Sequence, residues 1–418
     1  MNSFTACIPR TVHIDDILAE HPPKTKLKRD KLLYVIHLIR TIPMYDRRNW
    51  LNHEWVLVNA DALKNVISDY KKYLNYLEHV VGLIECDRKY FPSARSMGYR
   101  FTHVRYILIE SKLETLTDKT LLTALDKAWK NDHHGTDYVK KNLPYLHKWF
   151  NDKLRVDIPE DVEVPYPSIR PVKSINGGKC RLSVDKFGKR LHTPLTKLNK
   201  ELRPYLRYDG QPLIEIDIKC SQPYLSLKFI LDKLSKKYPD ILDRLEAMKS
   251  NIDKILIIDQ LEGCNGLGKY MNDVLIDDIY LVLKGAYKEK YSHDVGDGER
   301  DDYKEVIFTV MYSRNGYNPL TKVLFKELYP YPNDVLKQIK RIDHKDLSRK
   351  LQQLESKLVL RTICKEIYQH DNHIPMFTIH DSILTTPEHV VTVQKITMEV
   401  LSRCIGIAPR LHVNDLQC

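Results

Sequence analysis

Two aspartates, two cations and two aromatic rings in this 418-residue chain have the spacing that phosphoryl chemistry needs. Asp217 follows an apolar run in LIEIDIKCSQPYL, and Asp381 follows another in PMFTIHDSILTT. Each is expected at or near the C-terminal end of a strand. Carboxylates on neighbouring strand ends can hold a pair of Mg²⁺ ions about 4 Å apart for in-line displacement at phosphorus. One such aspartate alone reads more simply as a turn cap.

A third segment changes that balance. In RDDYKEVIFTVMYSRNGYN, Arg300, Lys304, Phe308 and Tyr312 recur every fourth residue. Four residues advance a helix by about 400°, a net drift of about 40°, so the four share one slowly winding face. Cations followed by rings on one face suit a nucleoside triphosphate, with charge for the phosphates and planes for sugar and base. Taken alone, the same segment is an amphipathic helix with a basic end.

Together these residues resemble the family A DNA polymerases and their relatives, the single-subunit phage and mitochondrial RNA polymerases. Asp217 matches the first catalytic aspartate, and His380-Asp381-Ser382 matches the His-Asp element with the second. Arg300, Lys304, Phe308 and Tyr312 match the R-x3-K-x3-F-x3-Y series of the fingers helix. Upstream, Lys189-Arg190-Leu191-His192-Thr193 looks like the family's G-R-L-S-S element. The four occur in the family's order, and the resemblance covers about residues 155–418.

The resemblance implies a fold and a site. The fold is α+β, a right hand with an antiparallel palm sheet and helical fingers and thumb, behind a mainly helical N-terminal region. The expected division is a helical appendage over 1–104, a thumb-like region over 105–158, palm over 159–235 and 346–418, and fingers over 236–345. Asp217 and Asp381, with the Ile218 carbonyl, would bind two Mg²⁺ ions, for which Mn²⁺ could substitute. Arg300 and Lys304 would hold the triphosphate, with Lys304 able to protonate the leaving pyrophosphate. Phe308 would pack near the sugar and Tyr312 beneath the nascent pair. Arg190 and His380 would meet the primer end. The implied partners are a nucleic-acid primer-template and nucleoside triphosphates. The implied activity is a DNA polymerase, with an RNA polymerase or primase on the same fold, or an inactive nucleic-acid-binding scaffold, as alternatives. The size suits a phage, mobile or defence element.

Two positions depart from the family. Ser313 stands where Gly usually follows the fingers Tyr. Gln222 stands five residues after Asp217, where DNA-making members carry Glu and RNA-making members Gly. Gln is bulky and can hydrogen-bond a Tyr hydroxyl, so it is expected to exclude a 2′-hydroxyl. DIKCS and HDS, with Ser382 in place of the Glu common in DNA polymerases, look closer to the RNA polymerase versions, whereas Phe308 and Arg190 favour the DNA side. The one D-x-E before Arg190, Asp161-Val162-Glu163, lies in a Pro-rich run, and no proofreading activity is expected.

The rest of the chain must position these groups. Lys and Arg number 66 against 55 Asp and Glu, a net charge of +11 that fits a polyanionic partner or simply a solvated basic surface. No run of 18 apolar residues occurs, so no membrane association is expected. The scattered cysteines, without a CxxC pair, fit a reduced, cytoplasmic setting. Apolar spacing predicts helices through most of 25–150, with Tyr90–Thr102 a loop or short hairpin and a break at Pro144. Pro159–Pro171 predicts an extended linker. Strands are expected at Leu213–Ile218, Phe377–Ile379 and Pro409–Val413. Helices are expected over Pro239–Leu261, Asp346–Tyr368 and Val391–Ile405. Gln352, Gln353 and Glu355 lie where the resemblance implies a template-touching helix but read more simply as a solvated helix face. His133-His134 could bind metal but reads as a polar turn; the lysine runs at 24–31 and 233–237 could track phosphates but read as solvated surface.

Overall fold

A computed structural model describes residues 3–42, 55–90, 96–103 and 110–416, and the chain divides into two units, Met1–His133 and His134–Cys418. Both mix helices with small sheets whose paired strands run antiparallel. No helix among the described residues is long and apolar enough to cross a membrane.

Among the described residues the first unit has more helix than strand, but it also carries two small antiparallel sheets that the helical patterns did not foreshadow. Phe4–Pro9 pairs with Ser111–Leu116 in register from Phe4↔Leu116 to Pro9↔Ser111, burying Ala6, Cys7 and Ile8. Six-residue strands without clear alternation look weak beside helical patterns, and each one's partner lies about a hundred residues away. Within Tyr90–Thr102, expected as a loop or short hairpin, Gly98–Phe101 is a strand whose partner, Ile84–Cys86, lies outside that segment, and 91–95 fall outside the described residues. Helix Arg29–Thr41 buries Leu32, Leu33, Ile36 and Ile39 against these strands. The strand 111–116 and helix Lys119–Asp132 belong to this unit, so the segment expected as one thumb-like region, 105–158, is divided. Pairing with the N-terminal strand is what claims its first half.

In the second unit the break at Pro144 holds: helices span Thr136–Asn142 and Pro144–His147, with Pro144 in the first turn, where its missing N–H costs nothing. The Pro-rich run is not wholly extended. Tyr166–Asn176 is helical, with Pro167 in its first turn and Pro171 inside, at the loss of one backbone bond. Asp161 and Glu163 are at least partly exposed ahead of it.

The elements that matter next are short. Strands β1 (Ser183–Asp185) and β2 (Leu191–His192) form a hairpin. Strand β3 (Ile214–Ile218) runs into helix α1 (Ser221–Leu234), and helices α2 (Ile279–Tyr291) and α3 (Arg300–Tyr312) follow. Helix α4 (Lys345–Ser356) continues through a wide π turn, Lys357–Ile363, into another helical segment. Strands β4 (Phe377–Ile379) and β5 (Ser382–Thr385), helix α5 (Val390–Ile405) and strand β6 (Leu411–Asp415) close the unit. The expected helix over 239–261 is two, Ile241–Ala247 and Asn251–Asp259, because Ser250 caps the second by accepting from the Asp253 N–H.

The central sheet has the order β4-β5-β3-β6, all antiparallel. In β3 the isoleucines at 216 and 218 enter the core while Glu215 and Asp217 take the opposite face, as a period of two requires. Helix α1 is buried on nearly every face and forms the middle of the core. Phe377 in β4 lies edge-on to Phe150, with centroids 5.4 Å apart, and 5.5 Å from Tyr208. It is fully buried, in the strand that leads into the turn carrying Asp381. Phe377→Ala is expected to cost about 3–5 kcal/mol, read as a lowered denaturant midpoint at unchanged slope.

Candidate active site

A cleft of about 390 Å³ gathers residues from every one of the motifs singled out above. Its walls include Arg190, Asp217, Ile218, Gln222, Arg300, Lys304, Phe308, His380 and Asp381. Tyr312 reaches the same place by donating to Gln222 Oε1 at 2.8 Å. All ten candidate residues therefore converge.

The sheet brings the two aspartates together. Asp217 pairs with Ser382 across β3 and β5, and Ile379 pairs with Ser382 across β4 and β5. A two-residue turn, His380-Asp381, is all that joins β4 to β5, so Asp381 stands beside the residue facing Asp217. The Ser382 hydroxyl, 2.6 Å from Glu215 Oε1, ties that turn to β3. Burial, then the Asp381 and Glu215 carboxylates, push the Asp217 carboxyl up to about 7, against the pull of Lys304 and the Ile218 N–H. This donor set fits Mg²⁺, which uses one or two carboxylates and completes its shell with waters and substrate phosphates.

Backbone strain marks the same region. Lys189, Cys220 and His380 have φ of 59°, 51° and 56°, in the left-handed region that non-glycine residues avoid. Lys189 precedes Arg190 in the β1–β2 turn, where Asp185 accepts the N–H groups of Gly188 and Arg190. Cys220 turns the chain from β3 into α1 and so sets Gln222 in that helix's first turn. His380 opens the Asp381 turn, and its Nδ1 is buried without a hydrogen-bond partner among the described residues. Burial, then Arg190, hold its imidazole below the usual histidine range.

The helix α3 presents its four-residue series as expected. Tyr303, Val306, Ile307, Val310 and Met311 face the core, leaving Arg300, Lys304, Phe308 and Tyr312 on the other side. Phe308 and Tyr312 stack at 5.5 Å and 23°, and Lys304 Nζ lies 6.0 Å from the Phe308 ring centre. A capping box between Glu299 and Asp302 begins the helix. It ends at Tyr312, with Ser313 extended in place of the family's Gly. The amines of Lys322 and Lys340 donate to carbonyls at that end, including those of Arg314 and Val310.

Three participants were not expected from the sequence. Asp278 takes the Arg300 guanidinium at 2.9 and 2.8 Å, and Tyr280 lies under it at 4.6 Å. Asp278 precedes an apolar run and also caps α2, and that capping role was its one legible signal. Glu355 is not on a solvated face: it is 1% exposed and forms a bidentate pair with Arg190, both bonds 2.8 Å. The reason is the close approach of α4 to the β1–β2 turn. There Gln353 donates to the Phe187 carbonyl and Ser356 to the Gly188 carbonyl, and a Cβ on Gly188 would strike Gln352. Away from the cleft, His133-His134 is a short strand rather than a polar turn.

The cleft thus sets two carboxylates beside a cationic and aromatic helix face, the groups that a polyphosphate and a flat base would require. No family model matches the sequence, and no curated protein matches it.

Proposed function

We propose that the chain is a template-directed nucleotidyltransferase of the family A polymerase type, adding deoxynucleoside triphosphates to a 3′-hydroxyl. The observation that carries the reading is the convergence on one cleft of four sequence-distant motifs, in the family's order, with ten residues in compatible places. The right-hand architecture is part of the same proposal: the β4-β5-β3-β6 sheet as palm, the helices between α1 and α4 as fingers.

Asp217, Asp381 and the Ile218 carbonyl would hold the two Mg²⁺ ions. When bound, these supply charge neutralisation at the reacting oxygens. Lys304 and Arg300 would meet the triphosphate, and Lys304 would give a proton to departing pyrophosphate. Phe308 would lie against the sugar, with Tyr312 beneath the new pair. Arg190 and His380 would border the primer end. Catalysis would come from positioning and from charge already in place.

The Tyr312–Gln222 hydrogen bond supports deoxynucleotide preference, because it fixes a bulky amide beside the cleft. Gln222→Gly is expected to raise the ribonucleotide-to-deoxynucleotide ratio of kcat/KM by roughly ten- to a hundredfold, measured by single-nucleotide addition. The reading itself is tested by extension of a labelled primer on DNA and RNA templates, with dNTPs or NTPs. Templated dNTP addition that Asp381→Ala abolishes supports it. Product with NTPs alone makes the chain an RNA polymerase or primase. Absence of product with Mg²⁺ or Mn²⁺ overturns catalysis in favour of a binding scaffold.

A further inference from the structure

Glu355 joins two groups given separate tasks above. Its Oε1 accepts from Arg190 Nε, while its Oε2 accepts from both Arg190 Nη2 and Gln222 Nε2, at 2.8, 2.8 and 2.7 Å. With its N–H used in this way, the Gln222 amide turns its oxygen toward the cleft side, and Tyr312 takes it. The amide's orientation is therefore decided by Glu355, from a helix 133 residues away in sequence.

We propose that Glu355 is a positioning residue for the sugar gate, and that the amide–carboxylate pair 222/355, rather than residue 222 alone, sets the choice of nucleotide sugar. The proposal rests on the polymerase reading and deepens it. It also accounts for the departure at 222. A glutamate there would place two carboxylates within hydrogen-bond distance in a buried spot served by one guanidinium, where each repels the other. The network needs one carboxylate and one amide, and this chain has them in the order Gln222, Glu355. Exchanging them keeps the inventory: a carboxylate at position 222 would accept from Tyr312 and from an amide at position 355, whose oxygen would accept from Arg190.

The test uses the full-length chain and four forms: wild type, Glu355→Ala, Gln222→Glu, and Gln222→Glu with Glu355→Gln. Each is measured for single-nucleotide addition of dNTP and NTP and for thermal midpoint. Glu355→Ala is expected to lower sugar discrimination at least about tenfold, beyond any common loss of rate. Gln222→Glu is expected to lower both activity and midpoint, and the exchanged double variant to recover most of each. An active Glu355→Ala with unchanged discrimination overturns the proposal while leaving the polymerase reading in place. So does a double variant no better than Gln222→Glu, which also guards against misfolding of the alanine form. An inactive wild type overturns both.

Discussion

Asp217→Asn should abolish nucleotide addition, by on the order of a thousandfold or more, while making the metal-free chain more stable rather than less. Both halves follow from one arrangement. The folded chain raises the Asp217 carboxyl from 3.8 to about 7 by burial and by Asp381 and Glu215. A raised carboxylate binds its proton more tightly when folded. Its contribution is therefore favourable below pH ~4 and is lost as the pH rises through about 7. Allowing for water at its partly open face, the penalty at pH 8 is on the order of 2 kcal/mol. The wild type in a chelator should lose thermal midpoint between pH 5 and 8, and the asparagine variant should lose less. Mg²⁺ should raise the wild-type midpoint at pH 8 and leave Asp217→Asn and Asp381→Asn little changed. A variant that melts below wild type in chelator at pH 8, or that keeps its activity, contradicts the assignment.

Lys304 carries the second large effect. Arg300 enters the cleft already paired with Asp278, whereas Lys304 makes no ion pair among the described residues and faces Asp217 and Phe308. In the proposed reading, its charge would be open to a triphosphate without first breaking an ion pair. Lys304→Ala is expected to lower kcat/KM for the nucleotide by roughly a hundred- to a thousandfold. Lys304→Arg keeps the charge but holds its proton too firmly to transfer it, so its loss should fall on kcat with KM nearly kept. Because Lys304 draws the Asp217 carboxyl downward, its removal should also move the acidic limb of the pH–rate profile to higher pH. Arg300→Ala should cost less than Lys304→Ala, since its interaction with phosphate must replace one with Asp278. Equal losses at the two positions would refute that ranking.

What the sequence made legible follows physical range. The α3 series depends on spacing within a single helix, and β3 on alternation within a single strand; both are local and both were readable. The Asp381 turn was readable for the same reason. Glu355 was not, because a carboxylate in an amphipathic helix is ordinarily solvated, and only the approach of the β1–β2 turn to α4 buries it. Asp278 looks like a helix cap and is one; its second role needs Arg300 beside it in space. The strand 111–116 escapes local patterning since its partner lies at the other end of its unit. Pro171 misleads because a proline inside a helix costs a bond that tertiary packing can offset.

The central sheet has a consequence for how the molecule is made. Strand β3 is paired on one side by residues 382–385 and on the other by residues 411–415. When β3 leaves the ribosome, both its edges are open, and the two aspartates are separated by most of the unit's synthesis. Neither edge can be satisfied until the whole run of helices between α1 and β4 has followed. Those helices must form and wait, with the β3 edges exposed to other chains. Premature termination before residue 411 leaves at least one edge bare, and before residue 382 both. Such fragments should partition to aggregates or proteolysis, and partial products with catalytic competence should not accumulate.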